Sequence, residues 1–389
     1  MKFRSIITTT LFLIAGFQSA LAAPVIVPRA PDLNASSWIL IDATTGRILT
    51  ENNSNERLPP ASLTKMMTAY IVSKEVNEGR ISESDLVPIS VNAWRMGGSK
   101  MFVREGTSVQ LLELLRGLMI VSGNDATVAL AEYVAGSETA FADVMNQQAQ
   151  LIGMENTNFK NSTGWPADNH YTTAADLSKL AQRLIQDHPD HYRIYSERRF
   201  SYTPPGESAI SQPNRNLLLG RDPSVDGMKT GHTQEAGYCL VSSALRDGTR
   251  LIAVVMGTSS PNARATESAN LLQWGFRYFE TQTVLAAGQN LESAKVWKST
   301  IDQVELTVPN DLTLTLNRGS FDGLAIAAQV NDQLEAPLSA GDVVGFVEVQ
   351  LDGETVGRSD IVVANDVPEA GFFKRLWDSI VLFFTGLFS

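Results

Sequence analysis

The sequence is poor in cysteine and histidine, and acidic residues outnumber basic ones. Its 389 residues include a single cysteine, Cys239, so no disulfide can form within the chain. Cys239 lies in the apolar segment YCLVSSAL and is expected to be a small core residue rather than a catalytic thiol. The four histidines have no H-E-x-x-H or C-x-x-C neighbours, which argues against a zinc site. The formal net charge of -11 argues against a nucleic-acid partner, because phosphate binding requires clustered lysine and arginine.

The first residues have the pattern of a secretory signal peptide. Lys2 and Arg4 precede an apolar stretch over residues 6–17, and Ala20-Leu21-Ala22 is a small-x-small cleavage site. The alternative is an uncleaved membrane anchor, but the apolar stretch is too short for one. No cysteine stands directly after the cleavage site, so a lipid anchor is not expected there. We therefore expect residues 1–22 to be removed and the mature chain to be exported.

Residues 372–388 predict an amphipathic helix. On a helical wheel of about 100° per residue, one arc carries the polar residues and the opposite half carries five phenylalanines and a tryptophan, with Leu382 as the exception. The uncharged stretch over residues 379–389 is too short to span a bilayer. One alternative is a helix that docks its apolar face on the protein's own core. We favour binding to a membrane surface, because a docked helix rarely needs so many aromatic side chains on one face.

The apolar pattern predicts an N-terminal domain of mixed helix and strand. Residues 36–51 alternate like a β-hairpin that turns at Thr44-Thr45-Gly46. From Val225, apolar strands follow one another with a turn at Arg246-Asp247-Gly248. Because strands come early and late, they could share one sheet, which is an α+β architecture. The predicted helices begin near residue 62 and cover residues 108–121, 125–134, 138–152, 172–187 and 265–280.

The composition changes after about residue 283. Short segments such as VELTV, LTLTL, LAIAAQV and VVGFVEVQ alternate apolar and polar residues. This pattern predicts an all-β module, most simply a small sandwich. Residues 364–371 are then expected to be a short polar linker to the terminal helix.

Residues 59–70, PPASLTKMMTAY, contain a serine and a lysine three positions apart. Pro59 and Pro60 disfavour a helix before them, so a helix is expected to begin near Ser62. The three-residue step puts Lys65 within hydrogen-bond reach of the hydroxyl. A serine nucleophile needs a base, and lysine can be that base only if its pKa falls. The alternative, an N-cap serine beside a solvated lysine, is not excluded by S-x-x-K alone.

Two further motifs follow, Ser122-Gly123-Asn124 in a loop between helices and Lys229-Thr230-Gly231 on a strand. Ser122 could pass a proton to a departing amine, and Asn124 can hold a substrate amide. Lys229 brings a positive charge that would lower the pKa of Lys65 and attract a carboxylate, with the Thr230 hydroxyl beside it. Asn124 could instead cap the following helix, and the last motif could be a plain edge strand. The three motifs in this order favour a serine acyl-transfer site.

The set Ser62-Leu63-Thr64-Lys65, Ser122-Gly123-Asn124 and Lys229-Thr230-Gly231 resembles the serine penicillin-recognising enzymes. The S-G-N form of the second motif resembles the low-molecular-weight penicillin-binding proteins, specifically the type-5 D-alanyl-D-alanine carboxypeptidases. The segments NTNFKNSTGWPADNHYTTAADLSKLAQRLI, VDGMKTGHTQEAGYCLVSSA and ESANLLQWGFRYFE are similar to that family too. The resemblance implies a β-lactamase/transpeptidase-like domain with an antiparallel sheet and helices, then a small all-β sandwich domain and a C-terminal amphipathic helix. The expected boundaries are residues 1–22 for the signal peptide and residues 23–282 for the penicillin-binding D,D-peptidase domain. Residues 283–366 are expected to be the β-sandwich domain and residues 367–389 the amphipathic helix.

The resemblance also implies an activity and a location. The expected reaction is removal of the terminal D-alanine from peptidoglycan pentapeptides through an acyl-enzyme on Ser62, with β-lactams as inhibitors and no cofactor. The backbone N–H groups of Ser62 and His232 would bind the oxyanion, Arg264 would contact the terminal carboxylate, and Arg215 would lie near the cleft. The expected location is the periplasm, at the outer face of the bacterial inner membrane. The oligomeric state is left open, a homodimer included.

Other functions compete with this expectation. A D,D-endopeptidase would not need a terminal carboxylate and hence would not need Arg264. A β-lactamase needs an efficient deacylating base, but no E-x-x-L-N segment occurs between the second and third motifs. A wall-binding scaffold with an idle site would have no reason to keep Ser62, Lys65 and Lys229 together.

Overall fold

The structure, a computed structural model, describes residues 26–385, so the predicted signal peptide and the last four residues lie outside it. In chain order the strands are β1 Ser37–Asp42, β2 Ile48–Asn52, β3 Leu86–Pro88, β4 Ser108–Gln110, β5 Arg199–Tyr202, β6 Ile210–Pro213, β7 Val225–Thr233, β8 Gly237–Arg246, β9 Thr249–Thr258, β10 Phe279–Leu285, β11 Asn290–Trp297, β12 Gln303–Thr307, β13 Leu312–Asn317, β14 Leu324–Val330, β15 Leu334–Glu335, β16 Val343–Leu351 and β17 Glu354–Val363. The α-helices are α1 Lys65–Asn77, α2 Val91–Arg95, α3 Leu111–Val121, α4 Asn124–Ala135, α5 Glu138–Leu151, α6 Ala174–Asp187, α7 Pro189–Tyr192, α8 Leu218–Arg221, α9 Pro261–Tyr278 and α10 Phe372–Thr385.

The N-terminal domain is built on one antiparallel sheet with strand order β2-β1-β9-β8-β7. This order confirms that the early hairpin and the late strands share a sheet. Strand β9 is apolar on both sides, because Leu251 and Val255 pack towards α9 whereas Ile252 and Val254 pack towards the helices between α1 and α6. The sheet is therefore the middle of three layers, and its β7 edge stays open for the site described below.

Two predicted helices begin elsewhere than expected. Helix α3 begins at Leu111, because residues 108–110 instead pair with β3 as strand β4. Helix α9 begins at Pro261, where the Ser260 hydroxyl caps it by accepting a hydrogen bond from the Ala263 N–H. This earlier start brings Arg264 into the first turns of α9.

The C-terminal module is all-β, as predicted from its alternation. A six-stranded sheet of order β14-β16-β17-β12-β11-β15 lies with the β10–β13 pair around an apolar core. The predicted linker over residues 364–371 was wrong, because this segment packs on the module. Val367 is buried and pairs with Leu338, and the Ala370 N–H donates to the Lys298 carbonyl at 2.7 Å.

The terminal helix α10 contacts the β module through its polar side. Asp378 is 8% exposed and accepts a hydrogen bond of 2.7 Å from the Lys298 N–H, and Lys374 pairs with Asp302 at 3.0 Å. The apolar side faces outward, with Phe373 84% exposed. The apolar face is thus not docked on the protein's own core. None of the helices within residues 26–385 is long and apolar enough to cross a membrane.

Candidate active site

The first site residue lies where the chain turns into α1. Ala61 has a left-handed backbone with φ 47°, and residues Ala61–Thr64 form a 3-10 turn that leads into α1. This turn confirms a helical start near Ser62. The Ser62 Oγ and the Lys65 Nζ are 3.0 Å apart, so the hydroxyl and the amine are hydrogen-bonded. A left-handed alanine is strained, and such strain is common next to active-site residues.

Lys65 is fully buried, and its surroundings prepare it to act as a base. Burial lowers the pKa of Lys65 from 10.5 to about 7, while the negative charges of Asp125 and Glu138 oppose the shift. The Lys65 Nζ also donates a hydrogen bond of 2.6 Å to the Thr163 carbonyl oxygen. A lysine with a pKa near neutrality can be present as the free amine and accept a proton from Ser62.

Thr163 belongs to a loop that sequence reasoning did not identify as part of the site. The Asn161 side-chain oxygen accepts hydrogen bonds from the N–H groups of Thr163 at 3.2 Å, Gly164 at 2.8 Å and Trp165 at 3.1 Å. Gly164 has φ 83°, and a Cβ there would overlap the Ala61 carbonyl. Asn161 thus shapes the loop, and Gly164 lets it approach the turn that carries Ser62.

Ser122 ends α3 in the left-handed conformation, with φ 62°. The residue is 4% exposed, and its hydroxyl has no hydrogen-bond partner within the described part of the chain. Buried hydroxyls are almost always paired, so an unpaired one calls for an explanation such as a proton-transfer role. A free hydroxyl is able both to donate and to accept a proton.

Asn124 and Asp125, in the first turn of α4, hold a loop over residues 97–103 against this helix. The Asn124 side chain donates to the Gly97 carbonyl at 2.7 Å, and its own N–H donates to the Ser99 carbonyl at 2.7 Å. Gly123, not Asn124, is the N-cap of α4, so the capping alternative for Asn124 was wrong. The buried Asp125 carboxylate accepts hydrogen bonds from the backbone N–H groups of residues 101–103 and 126, so it has a structural role.

Strand β7 forms the opposite side of the site. Gly231 leaves little room for a side chain, because a Cβ would lie 3.2 Å from the Leu63 Cγ and 3.2 Å from the Pro60 carbonyl oxygen, and these neighbours would have to shift. Lys229 is fully buried, and burial holds its pKa well below the usual value, with Lys65 the next cause. Lys229 was expected to help lower the pKa of Lys65, but burial of Lys65 is the cause that lowers it. Thr230 follows Lys229 and is buried at the same edge.

The remaining three predicted residues are arranged around the end of β7. Arg264 is buried, donates a hydrogen bond of 3.0 Å to the Gly231 carbonyl and lies over the Tyr238 ring at 5.6 Å. The His232 ring stacks on the same tyrosine, with ring centroids 3.9 Å apart. Arg215 is exposed and contacts Gln212 at 3.4 Å. Arg264 is thereby fixed to the strand, whereas Arg215 lies exposed at the rim.

A cleft of about 570 Å³ connects these elements. Of the predicted residues, Ser62, Asn124, Arg215 and His232 line it directly. The cleft is also lined by residues that sequence reasoning missed, namely Gly98, Ser99, Thr163, Gly164, Trp165, Pro166 and Thr233. Their position next to the first motif depends on long-range packing, which no spacing rule reveals. A larger cavity of about 810 Å³ elsewhere, lined among others by Arg246 and Trp274, contains none of the motif residues.

The helix-flanked antiparallel sheet and the clustered motifs define the class of serine penicillin-recognising enzymes. The family model described as "D-alanyl-D-alanine carboxypeptidase" matches residues 25–260, and that described as "Penicillin-binding protein 5, C-terminal domain" matches residues 279–369. The chain belongs to the D-alanyl-D-alanine carboxypeptidase family.

Known relatives agree with this membership. The chain is 41% identical over 383 residues to D-alanyl-D-alanine carboxypeptidase DacA of Escherichia coli strain K12, covering 96% of this chain and 94% of that protein. It is similar to the crystal structure of penicillin binding protein 5 from Haemophilus influenzae, with a TM-score of 0.81 and 40% identity over 88% of this chain and 100% of that one. Penicillin-Binding Protein D2 from Listeria monocytogenes in its ampicillin-bound form is more distant, with a TM-score of 0.57 and 28% identity over 64% of this chain and 100% of that one.

Proposed function

We propose that the protein removes the terminal D-alanine from peptidoglycan pentapeptides by serine acyl transfer. The observation that carries this proposal is the hydrogen bond of 3.0 Å between Ser62 and the buried Lys65, whose pKa is lowered to about 7. A neutral lysine at that distance can take the hydroxyl proton as the oxygen attacks. No cofactor is required for this step.

The first half of the reaction forms an ester. Ser62 Oγ bonds to the carbonyl carbon of the penultimate D-alanine, and Lys65 accepts the Ser62 proton. The resulting oxyanion would accept hydrogen bonds from the N–H groups of Ser62 and His232. Collapse breaks the peptide bond, and Ser122 passes the proton from Lys65 to the nitrogen of the departing D-alanine.

The second half hydrolyses the ester. A water molecule attacks the acyl carbon while Lys65 accepts its proton, and that proton returns to Ser62 as the shortened peptide leaves. Lys229, Thr230 and Arg264 would hold the terminal carboxylate of the substrate, with Gly231 allowing close approach of the strand. Asn124 would hold a substrate amide, and Arg215 at the rim would contact the stem peptide. β-Lactams would acylate the same serine.

The test is D-alanine release from a peptide ending in Lys-D-Ala-D-Ala, with wild type, Ser62→Ala and the surface control Ser84→Ala. We expect release by wild type and Ser84→Ala but not by Ser62→Ala. Undiminished release by Ser62→Ala would defeat the proposal. Penicillin labelling without any release would favour a D,D-endopeptidase, and Arg264→Ala would then stay active on cross-linked peptides. Rapid nitrocefin turnover would favour a β-lactamase.

We propose the following organisation and location for the chain. Residues 1–22 are a signal peptide, residues 23–282 are the peptidase domain, residues 283–366 are the β-sandwich domain, and residues 367–389 contain the membrane-surface helix, which begins at Phe372. The enzyme would act in the periplasm, attached peripherally to the outer face of the inner membrane. The outward aromatic face of α10 supports this attachment, because its burial among lipid chains is favourable. A second copy of the chain is a further proposed partner.

The attachment is tested with washed membranes. Deleting residues 371–389 should release the protein, and Phe373→Glu, on the apolar face of α10, should weaken binding to lipid vesicles. Lys374→Gln, on the polar face, is the matched control and should bind like wild type. Protein that stays with the membranes after the deletion would refute the anchor.

A further inference from the structure

Strand β14 is an edge strand without the usual protection against pairing. Its sequence, LAIAAQV, has no charge and no proline. Among the strands of residues 26–385 it pairs only with β16, in continuous register from Leu324 to Val330. Its five central residues are exposed, and Ile326 is 51% exposed. Natural edge strands are normally short, charged, bulged or covered, because an open edge pairs readily with another strand.

Two other sheet edges in the structure show these protections. Strand β15, at the far edge of the same sheet, has two residues, and Glu335 on it pairs with Lys298. Strand β2, at an edge of the N-terminal sheet, carries Glu51. Strand β14 therefore differs from these two edges in length and charge.

The ladder with β16 shows which backbone groups of β14 are free. The Asn331 N–H donates to the Val344 carbonyl at 2.8 Å, and these two residues continue the register of the β14–β16 pair. In an antiparallel ladder, alternate residues point their N–H and C=O groups to the same neighbour. Ala325, Ala327 and Gln329 therefore face β16, whereas Ile326 and Ala328 direct both backbone groups outward.

We propose that β14 pairs antiparallel with β14 of a second copy of this chain, about a two-fold axis at Ala327. In this register the outward groups of Ile326 on one copy meet those of Ala328 on the other, forming about four backbone hydrogen bonds at the centre. Leu324 lies opposite Val330. The strand is self-complementary in this register, because it opposes only apolar or small side chains at these positions and no like charges. This dimer rests on the proposal above that a second copy of the chain is a partner. The pairing involves no residue of the cleft.

The side chains on both faces tolerate this pairing. On one face, Ile326 and Ala328 lie beside the buried Val349 and Val347, so a second copy would cover the exposed part of Ile326 next to an existing core. On the other face, Glu348 lies beside Ala327 and is 3.7 Å from Arg358. The two Glu348 side chains would be three strand spacings apart, about 14 Å. This exceeds the screening length of about 8 Å at physiological ionic strength, so their repulsion is small.

The single cysteine of the chain permits a direct test. In a full-length Cys239→Ser background, Ala327→Cys puts one thiol on the two-fold axis. The two Cα atoms of a non-hydrogen-bonded pair are about 4.5 Å apart, which suits a disulfide. Ala325→Cys is the matched control on the same face of the strand. In the proposed register, the two copies of residue 325 are about 13 Å apart along the strands, too far for a disulfide.

The proteins are oxidised in detergent with micelles in excess, and dimers are measured by non-reducing electrophoresis. We expect the disulfide dimer to form at least about tenfold faster with Ala327→Cys than with Ala325→Cys. Equal rates, or no dimer with Ala327→Cys, would overturn the proposed register.

A second variant tests the edge without a disulfide. Ala328→Lys adds a charge at the edge, as natural edge strands do, and should convert the dimer to monomer in sedimentation equilibrium. A dimer that persists in Ala328→Lys would also overturn the proposal. D-Alanine release is measured in parallel and should be unchanged in Ala328→Lys. Failure of release in wild type, with the dimer intact, would count against the reaction alone.

Discussion

The Lys65 Nζ donates to the Thr163 carbonyl oxygen at 2.6 Å and lies 3.0 Å from the Ser62 Oγ. A neutral amine that donates one hydrogen to a fixed carbonyl has its lone pair directed elsewhere. The second contact keeps the Ser62 oxygen within hydrogen-bond distance of the same nitrogen, so the neutral amine can accept the Ser62 proton. In the proposed mechanism, the Thr163 carbonyl would therefore help to orient Lys65 as the base.

The pH dependence of acylation should follow the ionisation of Lys65. As a base, Lys65 must be neutral, so kcat/KM should rise with pH through about 7, the lowered pKa of this lysine. Lys65→Arg should lose about a thousandfold or more in kcat/KM, because an arginine does not deprotonate in this range. The measurement is a pH profile of D-alanine release at low substrate concentration. A flat profile between pH 6 and 8 would contradict the assignment.

Glu138 should tune this profile. Its negative charge opposes the lowering of the pKa of Lys65, so Glu138→Gln should lower that pKa and move the acid limb of kcat/KM to lower pH. The glutamine keeps an oxygen to accept the hydrogen bonds from Ser162. Glu155→Gln, at an exposed position, is the control and should leave the acid limb in place. A shift to higher pH in Glu138→Gln would contradict the electrostatic argument.

Asn161 should affect acylation through the loop that it organises. Asn161→Ala removes the acceptor for three N–H groups, so the Thr163 carbonyl should lose its fixed position. Misplacement on the order of 1 Å costs about a hundredfold in rate, and a similar loss is expected in penicillin acylation. Asn161→Asp keeps the accepting oxygens but adds a negative charge near Lys65. This charge should raise the pKa of Lys65 and move the acid limb of the pH profile to higher pH. Acylation at the wild-type rate in Asn161→Ala would exclude this positioning role.

Gly164 should be intolerant of any side chain. Gly164→Ala places a Cβ against the Ala61 carbonyl, so we expect a loss of about 3 kcal/mol in the free energy of unfolding and loss of penicillin labelling. Gly153 also has a positive φ, but a Cβ there meets no atom within 4 Å. Gly153→Ala should therefore lose only about 1 kcal/mol, which is the cost of the left-handed backbone. The measurement is urea unfolding of both variants, and equal losses would refute the steric argument.

The parts of the fold that local patterns determine could be predicted from the sequence. The shared sheet, the helical start at Ser62 and the β module follow from periodicity, proline and turn residues. The errors lie where a distant segment decides the local structure. Residues 108–110 pair with β3, and Val367 packs on the β module, although neither segment shows this in its own composition.

The site divides in the same way. Ser62, Lys65 and Lys229 belong to short motifs whose chemistry is readable from residue type and spacing. Thr163 acts through its backbone carbonyl, which every residue type possesses, so the sequence contains no chemical signal for it. Gly164 is a glycine because of Ala61, about a hundred residues earlier, and that contact exists only in the folded chain.

The docking of α10 has a geometric consequence for substrate access. Because Asp378 accepts a hydrogen bond from the Lys298 N–H and Lys374 pairs with Asp302, the helix is docked on the β module. With its aromatic face held in a lipid surface, the molecule would keep one tilt, and the mouth of the cleft would stay at a nearly constant height. Its substrates would then be drawn from a thin layer of the cell wall parallel to the membrane. Removing the Asp378 contact would let the cleft reach substrates over a wider range of heights above the membrane, without altering the chemistry of the cleft.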